Sequence, residues 1–189
     1  MKHVIAAIVV SASFNLGAQD QRNAVGGFKY VNTVHAELFG HGFMYSLSYE
    51  RLLINTWQHK TSIQIGASFY PPHEGIGVFW IPIMVNEIVS FGKHHVEFGV
   101  GHVARPNWTL GEVPLGVWLN GFLALRAGYR YQPSDSRMLF RIGFTPFICY
   151  PFAGSMEGWC FIPFGGIGMG YNFGLSPHER AMRDAIHIR

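Results

Sequence analysis

Asn32-Thr-Val-His-Ala-Glu37-Leu-Phe-Gly40-His-Gly42, followed by Tyr45-Ser46-Leu-Ser-Tyr49-Glu50-Arg51, decides the fold. Val34, Ala36 and Leu38 alternate with His35 and Glu37; Tyr45, Leu47 and Tyr49 alternate with Ser46, Ser48 and Glu50. A period of two is the signature of a strand with one apolar and one polar face, and the glycines between the two runs mark the turn of a hairpin.

The same pattern recurs along the chain. Ile63, Ile65 and Ala67 oppose Ser62, Gln64 and Gly66, and Val96, Phe98 and Val100 oppose Glu97, Gly99 and Gly101. Leu123, Leu125, Ala127 and Tyr129 oppose Ala124, Arg126, Gly128 and Arg130; Phe140, Ile142 and Phe144 oppose Arg141, Gly143 and Thr145. Ile167, Met169, Tyr171 and Phe173 oppose three glycines and Asn172. The alternation predicts eight strands over 30–40, 42–54, 61–70, 75–89, 94–104, 116–132, 137–149 and 160–173. Most reach the roughly 9 to 11 residues that a tilted strand needs to cross a bilayer. The stretch 75–89 is apolar on both parities, so its face is not assigned, and Pro82, lacking a backbone donor, predicts an irregular or bulged ladder there.

Composition says what surrounds these strands. Of 189 residues, 49% are hydrophobic, 15% aromatic and only 13% charged, against roughly 25% charged in a typical soluble domain. Much of the apolar surface therefore faces something other than water. Beyond the N-terminal segment no run offers the roughly 18 apolar residues of a membrane helix, which leaves a closed barrel as the structure able to satisfy its backbone in lipid. The expected fold is all-β: a closed antiparallel transmembrane β-barrel of about eight strands in an up-and-down meander. A soluble, secreted, lipocalin-like ligand-binding barrel is the alternative, with the apolar set turned inward. The glycines of the second face, which suit a crowded narrow lumen, and the aromatics near strand ends favour the membrane reading.

Residues 1–18 read as a cleaved signal peptide: Lys2 and His3, an apolar core from Val4 to Val10, and the small-residue site Leu16-Gly17-Ala18. A first apolar strand or buried helix is the competing reading. Export into a Gram-negative envelope then gives a periplasmic N-terminal segment over 19–29, an outer-membrane barrel over 30–173 and a periplasmic tail over 174–189. Removing Lys2 takes the formal charge from +3 to about +2 and, without a segregated basic patch, implies no nucleic-acid partner. With both termini periplasmic, 55–60, 90–93 and 133–136 are inner turns, and 40–42, 71–74, 105–115 and 150–159 face outward.

Glu37, Glu50, Glu97, Arg126, Arg130 and Arg141, with His35 and Gln64, form the proposed inward set. Charges in a narrow lumen must pair or stay hydrated, and small barrels are filled by side chains. The expectation is a Glu/Arg network that fills the interior; a proton or ion path is the sharper alternative. Ten histidines show no closed zinc spacing, so no metal or cofactor is expected. His94-His95 lies at a turn, and His41, His73 and His102 are placed on the outer rim. Cys149 and Cys160 sit at facing ends of the last hairpin and are either a disulfide in an oxidising compartment or two buried thiols. No catalytic residue is assigned. A lipid-A deacylase or acyltransferase is the enzymatic alternative, drawing on Ser68 and His102 with Glu74 or Glu112, although their spacing fits no hydrolase motif. Trp108, Trp159 and Phe152 in the outer loops suit a partner protein, while most such aromatics suit a membrane girdle.

The opening hairpin quoted above, together with Gly128-Tyr-Arg-Tyr-Gln-Pro133 and Phe140-Arg-Ile-Gly-Phe-Thr-Pro146, resembles the small outer-membrane barrel proteins common in Bacteroidetes. The resemblance covers most of the chain after the signal segment and implies fold and location rather than chemistry, many such proteins having no assigned activity. It implies contact with outer-membrane lipid and lipopolysaccharide, and passage through the barrel-assembly machinery, whose aromatic final-strand signal matches Gly168-Met-Gly-Tyr-Asn-Phe173. The chain departs from the family in its tail after Phe173 and in Glu87, which stands where the resemblance suggests an aromatic.

Overall fold

The computed structural model of the chain describes residues 27–70, 78–105, 121–149 and 158–187. The segment read as a signal peptide, and the connections at 71–77, 106–120 and 150–157, lie outside them. The described strands are β1 (Tyr30–Leu38), β2 (Tyr45–Asn55), β3 (His59–Tyr70), β4 (Val78–Phe91), β5 (His94–Ala104), β6 (Gly121–Tyr131), β7 (Met138–Phe144), β8 (Phe147–Cys149), β9 (Cys160–Ile162) and β10 (Gly165–Leu175). A helix, α1 (Pro177–His187), follows.

Every pairing is antiparallel, each strand from β1 to β6 pairs with the next, β7 pairs with β10, and β10 returns to β1. The sheet is thus closed into a barrel of eight crossings, with β8 and β9 continuing the last two beyond a bend. The bends face one another: pairing stops at Phe144 opposite Gly165 and resumes at Phe147 opposite Ile162. Pro146 lies in one gap and Pro163 in the other, and neither can donate to a ladder. The sequence reading drew each of these crossings as one unbroken strand; the two prolines divide them.

The faces follow the alternation. Along β1, Thr33, His35 and Glu37 are buried while Val34, Ala36 and Leu38 are exposed. β4, which parity left open, turns Met84, Asn86 and Ile88 inward and Ile83 and Val85 outward. Pro82 produces no bulge: the β3–β4 ladder lapses beside it and resumes in the same register, Ile65 facing Ile83 and Ser68 facing Trp80. The register shift lies between β2 and β3 instead, at Leu52 to Ile54.

Among the described residues, 21 polar or charged side chains are buried against nine apolar ones. The barrel is polar inside and apolar outside, the inverse of a soluble fold. Leu47, Ile65, Val85, Phe98, Val100 and Ile142 form an exposed belt. Large aromatics flank it, Trp57, Phe91 and Phe173 toward the end where the chain termini emerge, and Phe39, Tyr45 and Phe69 toward the far end.

The apolar interior is confined to the ends. At the far end the β1–β2 turn folds into the barrel, with Phe39 and Phe43 at φ 57° and 64°. These are left-handed conformations costing about 1–2 kcal/mol each for a residue with a Cβ. Phe43 stacks on Phe147 with centroids 4.5 Å apart and also meets Trp80, Phe122 and Phe164, packing against buried Met84, Val103 and Ala124. At the terminal end Phe28 is fully buried, its N–H donating to Asn55 Oδ1 at 2.8 Å.

Gly166 is where the infolded turn meets the wall: a Cβ there would lie 2.6 Å from Gly40 N and 2.7 Å from Leu38 O, both backbone atoms unable to swing aside. Gly166→Ala is therefore expected to destabilise the barrel by about 1–3 kcal/mol. Gly158→Ala, with nothing within 4 Å of the added carbon, is the control in urea titrations of refolded protein. Equal midpoints for the two variants contradict this account of the turn.

Candidate functional site

The side chains of the expected inward set come from the buried parity of six strands, so the pleat alone brings them together. Glu37 (β1), Glu50 (β2), Gln64 (β3), Glu97 (β5), Arg126 and Arg130 (β6) and Arg141 (β7) are all buried, as is His35. Arg126 Nη1 donates to Glu37 Oε1 at 2.7 Å and its Nε lies 2.8 Å from Glu97 Oε1. Arg141 reaches the same Glu97 carboxylate with Nη2 and donates from Nη1 to His35 Nε2 at 2.9 Å. Arg130 Nη1 sits 2.9 Å from both oxygens of Glu50 while its Nε donates to Gln132 Oε1 at 2.8 Å. Ser62 Oγ donates to Glu50 at 2.5 Å. Gln64 Oε1 accepts from Asn86 Nδ2 at 3.1 Å, so the amides fill space between the ion pairs.

Three carboxylates thus face three guanidiniums with the formal charges cancelling. Because a guanidinium at His35 Nε2 can only donate, the proton of that neutral ring is on Nδ1.

His41 departs from its expected place on the outer rim. The infolded turn carries it into the lumen, fully buried, where Nδ1 lies 2.6 Å from Glu37 Oε2 and Nε2 lies 3.3 Å from Ser48 Oγ, with the Gln64 amide also on Nε2. Serine, imidazole and carboxylate thus stand in the order of a nucleophilic triad. The chemistry does not follow from the order: Ser48 and His41 are 2% and 0% exposed, and Glu37 is held by Arg126 as well. His35, Glu37 and His41 also present ligand atoms within 4.8 Å of one another. Arg126 and Arg141 stand against these same groups, and their positive charge opposes a cation.

The residues weighed for lipid chemistry do not converge. Ser68 points inward, paired with Trp80, whereas His102 pairs with Ile83 on the outward face. Glu74, Glu112 and His73 lie outside the described residues, as do Trp108 and Phe152; Trp159 is exposed at the far end. His94-His95 opens β5 rather than sitting in a turn, and of these two His94 is the one at the surface, its Nδ1 2.6 Å from Tyr129 Oη. His95 is buried: Gln132 O accepts from Nε2 at 2.8 Å, and Ser90 Oγ lies 2.8 Å from Nδ1.

Beside it stands a residue the sequence reading assigned to a turn. Lys60 belongs to β3, is buried, donates to Trp57 O at 2.9 Å and Ser90 Oγ at 2.6 Å, and lies 4.6 Å from the Phe28 ring centroid. Its parity with Ser62 and Gln64 was the signal that placed it inside. Glu87 faces outward near the terminal end and accepts from Thr61 Oγ1 at 2.7 Å. Cys149 and Cys160 are direct partners across β8 and β9, 4.8 Å apart at Cα, and joined by a disulfide.

Glu50 and Arg130 are the most self-contained pair. Glu50→Leu, which strands a buried guanidinium, is expected to cost about 3–5 kcal/mol, and adding Arg130→Met to recover much of that loss. A double-mutant cycle in urea measures it; a double variant less stable than the sum of the singles contradicts the pairing.

No family model matches the sequence, and no curated protein matches it. Among solved structures, the N-terminal β-barrel domain of Pseudomonas aeruginosa OprF is similar at 12% identity and a TM-score of 0.47, the match covering 78% of this chain and 99% of that one.

Proposed function

We propose that this chain is an integral outer-membrane β-barrel of a Gram-negative envelope, of the Bacteroidetes type, with a structural or interaction role and a lumen filled by its Glu/Arg network. The observation that carries this reading is the inverted polarity: exposed Leu47, Ile65, Phe98, Val100 and Ile142 on a wall whose inner face holds Glu37, Glu50, Glu97 and three arginines. In water that belt would be a large aggregation-prone patch; in a bilayer it is the lipid-facing surface, and the flanking aromatics are interfacial girdles.

The sealed interior supports a role other than conduction. Phe43 and its aromatic neighbours close the far end, Phe28 closes the terminal end, and ion pairs fill the space between. In this reading the terminal end is periplasmic, because its connections are short and those at the far end long. Residues 1–18 direct export, the barrel-assembly machinery inserts the chain, and lipopolysaccharide and a protein partner meet the far-end loops.

Native protein is expected in the outer-membrane fraction, migrating differently in boiled and unboiled gel samples; a soluble, unshifted protein overturns the proposal. Ile65→Arg, at the middle of β3 on the outward face, is expected to lower stability in phospholipid vesicles by about 2–4 kcal/mol. A neutral effect there means that Ile65 does not face hydrocarbon.

A further inference from the structure

The C-terminal helix leaves the barrel by a built route. Gly174, at φ 70°, sits within the last residues of β10, where a Cβ would lie 2.3 Å from Asn32 Nδ2, and Leu175 still pairs with Tyr30 before the chain leaves the sheet. Ser176 N donates to Lys29 O at 2.8 Å, tying the helix start to the rim. Ser176 then caps α1: its Oγ accepts from Glu179 N at 3.3 Å, with Pro177 at the first helical position and Glu179 in the first turn. The junction therefore fixes where the helix leaves the barrel.

Between α1 and the rim lies a cavity of about 680 Å³ whose lining includes Lys29, Arg137, Arg180 and Arg183 against one carboxylate, Glu179. Arg137 is anchored at the edge of the apolar belt, donating to Tyr171 Oη at 2.5 Å with its guanidinium 5.3 Å from the Tyr30 ring centroid. Arg183 is largely exposed, its nearest carboxylate, Asp184, 4.0 Å away. The apolar part of the lining comes from Phe173, Met182 and Ile186. The last two lie four residues apart on the helix, so they share one face, and both are exposed. α1 balances Arg180 and Arg183 with Glu179 and Asp184, so the positive excess at the cavity comes from Lys29 and Arg137 on the rim. An amphipathic helix with such an apolar stripe suits a membrane interface, and cations beside it suit anionic headgroups.

We propose that this cavity binds the phosphate headgroup of an anionic glycerophospholipid from the leaflet bordering the terminal end of the barrel. The four cations contact the phosphate, Met182 and Ile186 enter the acyl region, and the lipid chains run along Phe173 and the outward face of β10. The site rests on the outer-membrane reading and adds to it a lipid-selective anchor at the inner rim.

The test uses the full mature chain, refolded in detergent, mixed with phosphatidylglycerol or phosphatidylcholine, and examined by native mass spectrometry, with the gel mobility shift read on the same samples. Wild type is expected to retain one phosphatidylglycerol with at least about tenfold preference over phosphatidylcholine. Arg180→Gln with Arg183→Gln is expected to lose that preference while keeping the shift; because both positions are exposed on the helix, folding of the barrel does not depend on them. Equal retention of the two lipids by a shifted wild-type barrel overturns this site alone, and so does undiminished preference in the double variant. A chain that shows no shift overturns the outer-membrane reading and this site with it.

Discussion

Arg126 between Glu37 and Glu97 is the contact on which the rest of the interior is arranged. An isolated carboxylate in a narrow, closed lumen costs several kcal/mol in lost hydration, and the loss is offset only by a partner with good geometry. Arg126 reaches two carboxylates at 2.7 and 2.8 Å, Arg141 returns to Glu97, and Arg130 closes on Glu50. These pairs tie β1, β2, β5, β6 and β7 across the barrel. A one-residue slip in any of those strands would move its charge to the apolar outer face, so the network specifies register as well as occupying space. Its glycine neighbours fit the same logic: at Gly99 a Cβ would lie 2.2 Å from Asn86 Oδ1, within the crowd the long side chains create.

Neutrality also accounts for the imidazoles. With three guanidiniums committed to three carboxylates, His35 and His41 act as neutral connectors, one accepting from Arg141 and the other lying between Glu37 and Ser48. The Ser48–His41–Glu37 row is a by-product of this filling. A nucleophile needs room for a substrate carbonyl and donors aimed at the developing oxyanion; here the Gln64 amide takes the remaining place at His41.

The barrel was legible because period-two alternation is a local property, and each of Glu37, Glu50, Glu97, Arg126, Arg130 and Arg141 sits on the parity opposite a run of apolar residues. The resolving power of parity ended where both faces are apolar. In β4 the inward Met84 and Ile88 are as hydrophobic as the outward Ile83 and Val85, because Met84 borders the apolar plug around Phe43. The infolding of Gly40 to Phe43 is not legible either. Its glycines read as a tight outward turn, and only the aromatic pocket formed by Trp80, Phe122, Phe147 and Phe164, residues 37 or more positions away, makes the inward path favourable. The same distance in sequence hid His41, carried inside by that turn. Lys60 and His95 escape the sequence pattern for another reason. A charged or polar residue beside a turn reads as water-facing, whereas strand parity continues to the last pair and turns Lys60 and His95 inward.

The two plugs and the network between them divide the work of closing the barrel by chemistry. Aromatic packing at the far end is dry and unspecific in register, and it tolerates two left-handed phenylalanines because stacking and burial of Phe43 exceed a strain of about 1–2 kcal/mol per residue. The terminal end cannot close in the same way, since it must let both chain termini leave. There Phe28 closes the mouth beneath two cations, Lys60 at 4.6 Å and Arg130 at 5.8 Å from its ring; Arg130 is paired with Glu50, and cation–π attraction adds to the hydrogen bonds that Lys60 makes with Trp57 O and Ser90 Oγ. Lys60 thus places a cation inside the terminal end, and Lys29, Arg137, Arg180 and Arg183 stand outside it with Glu179 among them. If the barrel spans an outer membrane as proposed, these cations face the leaflet on that side, and the folded chain as well as its loops biases its orientation there.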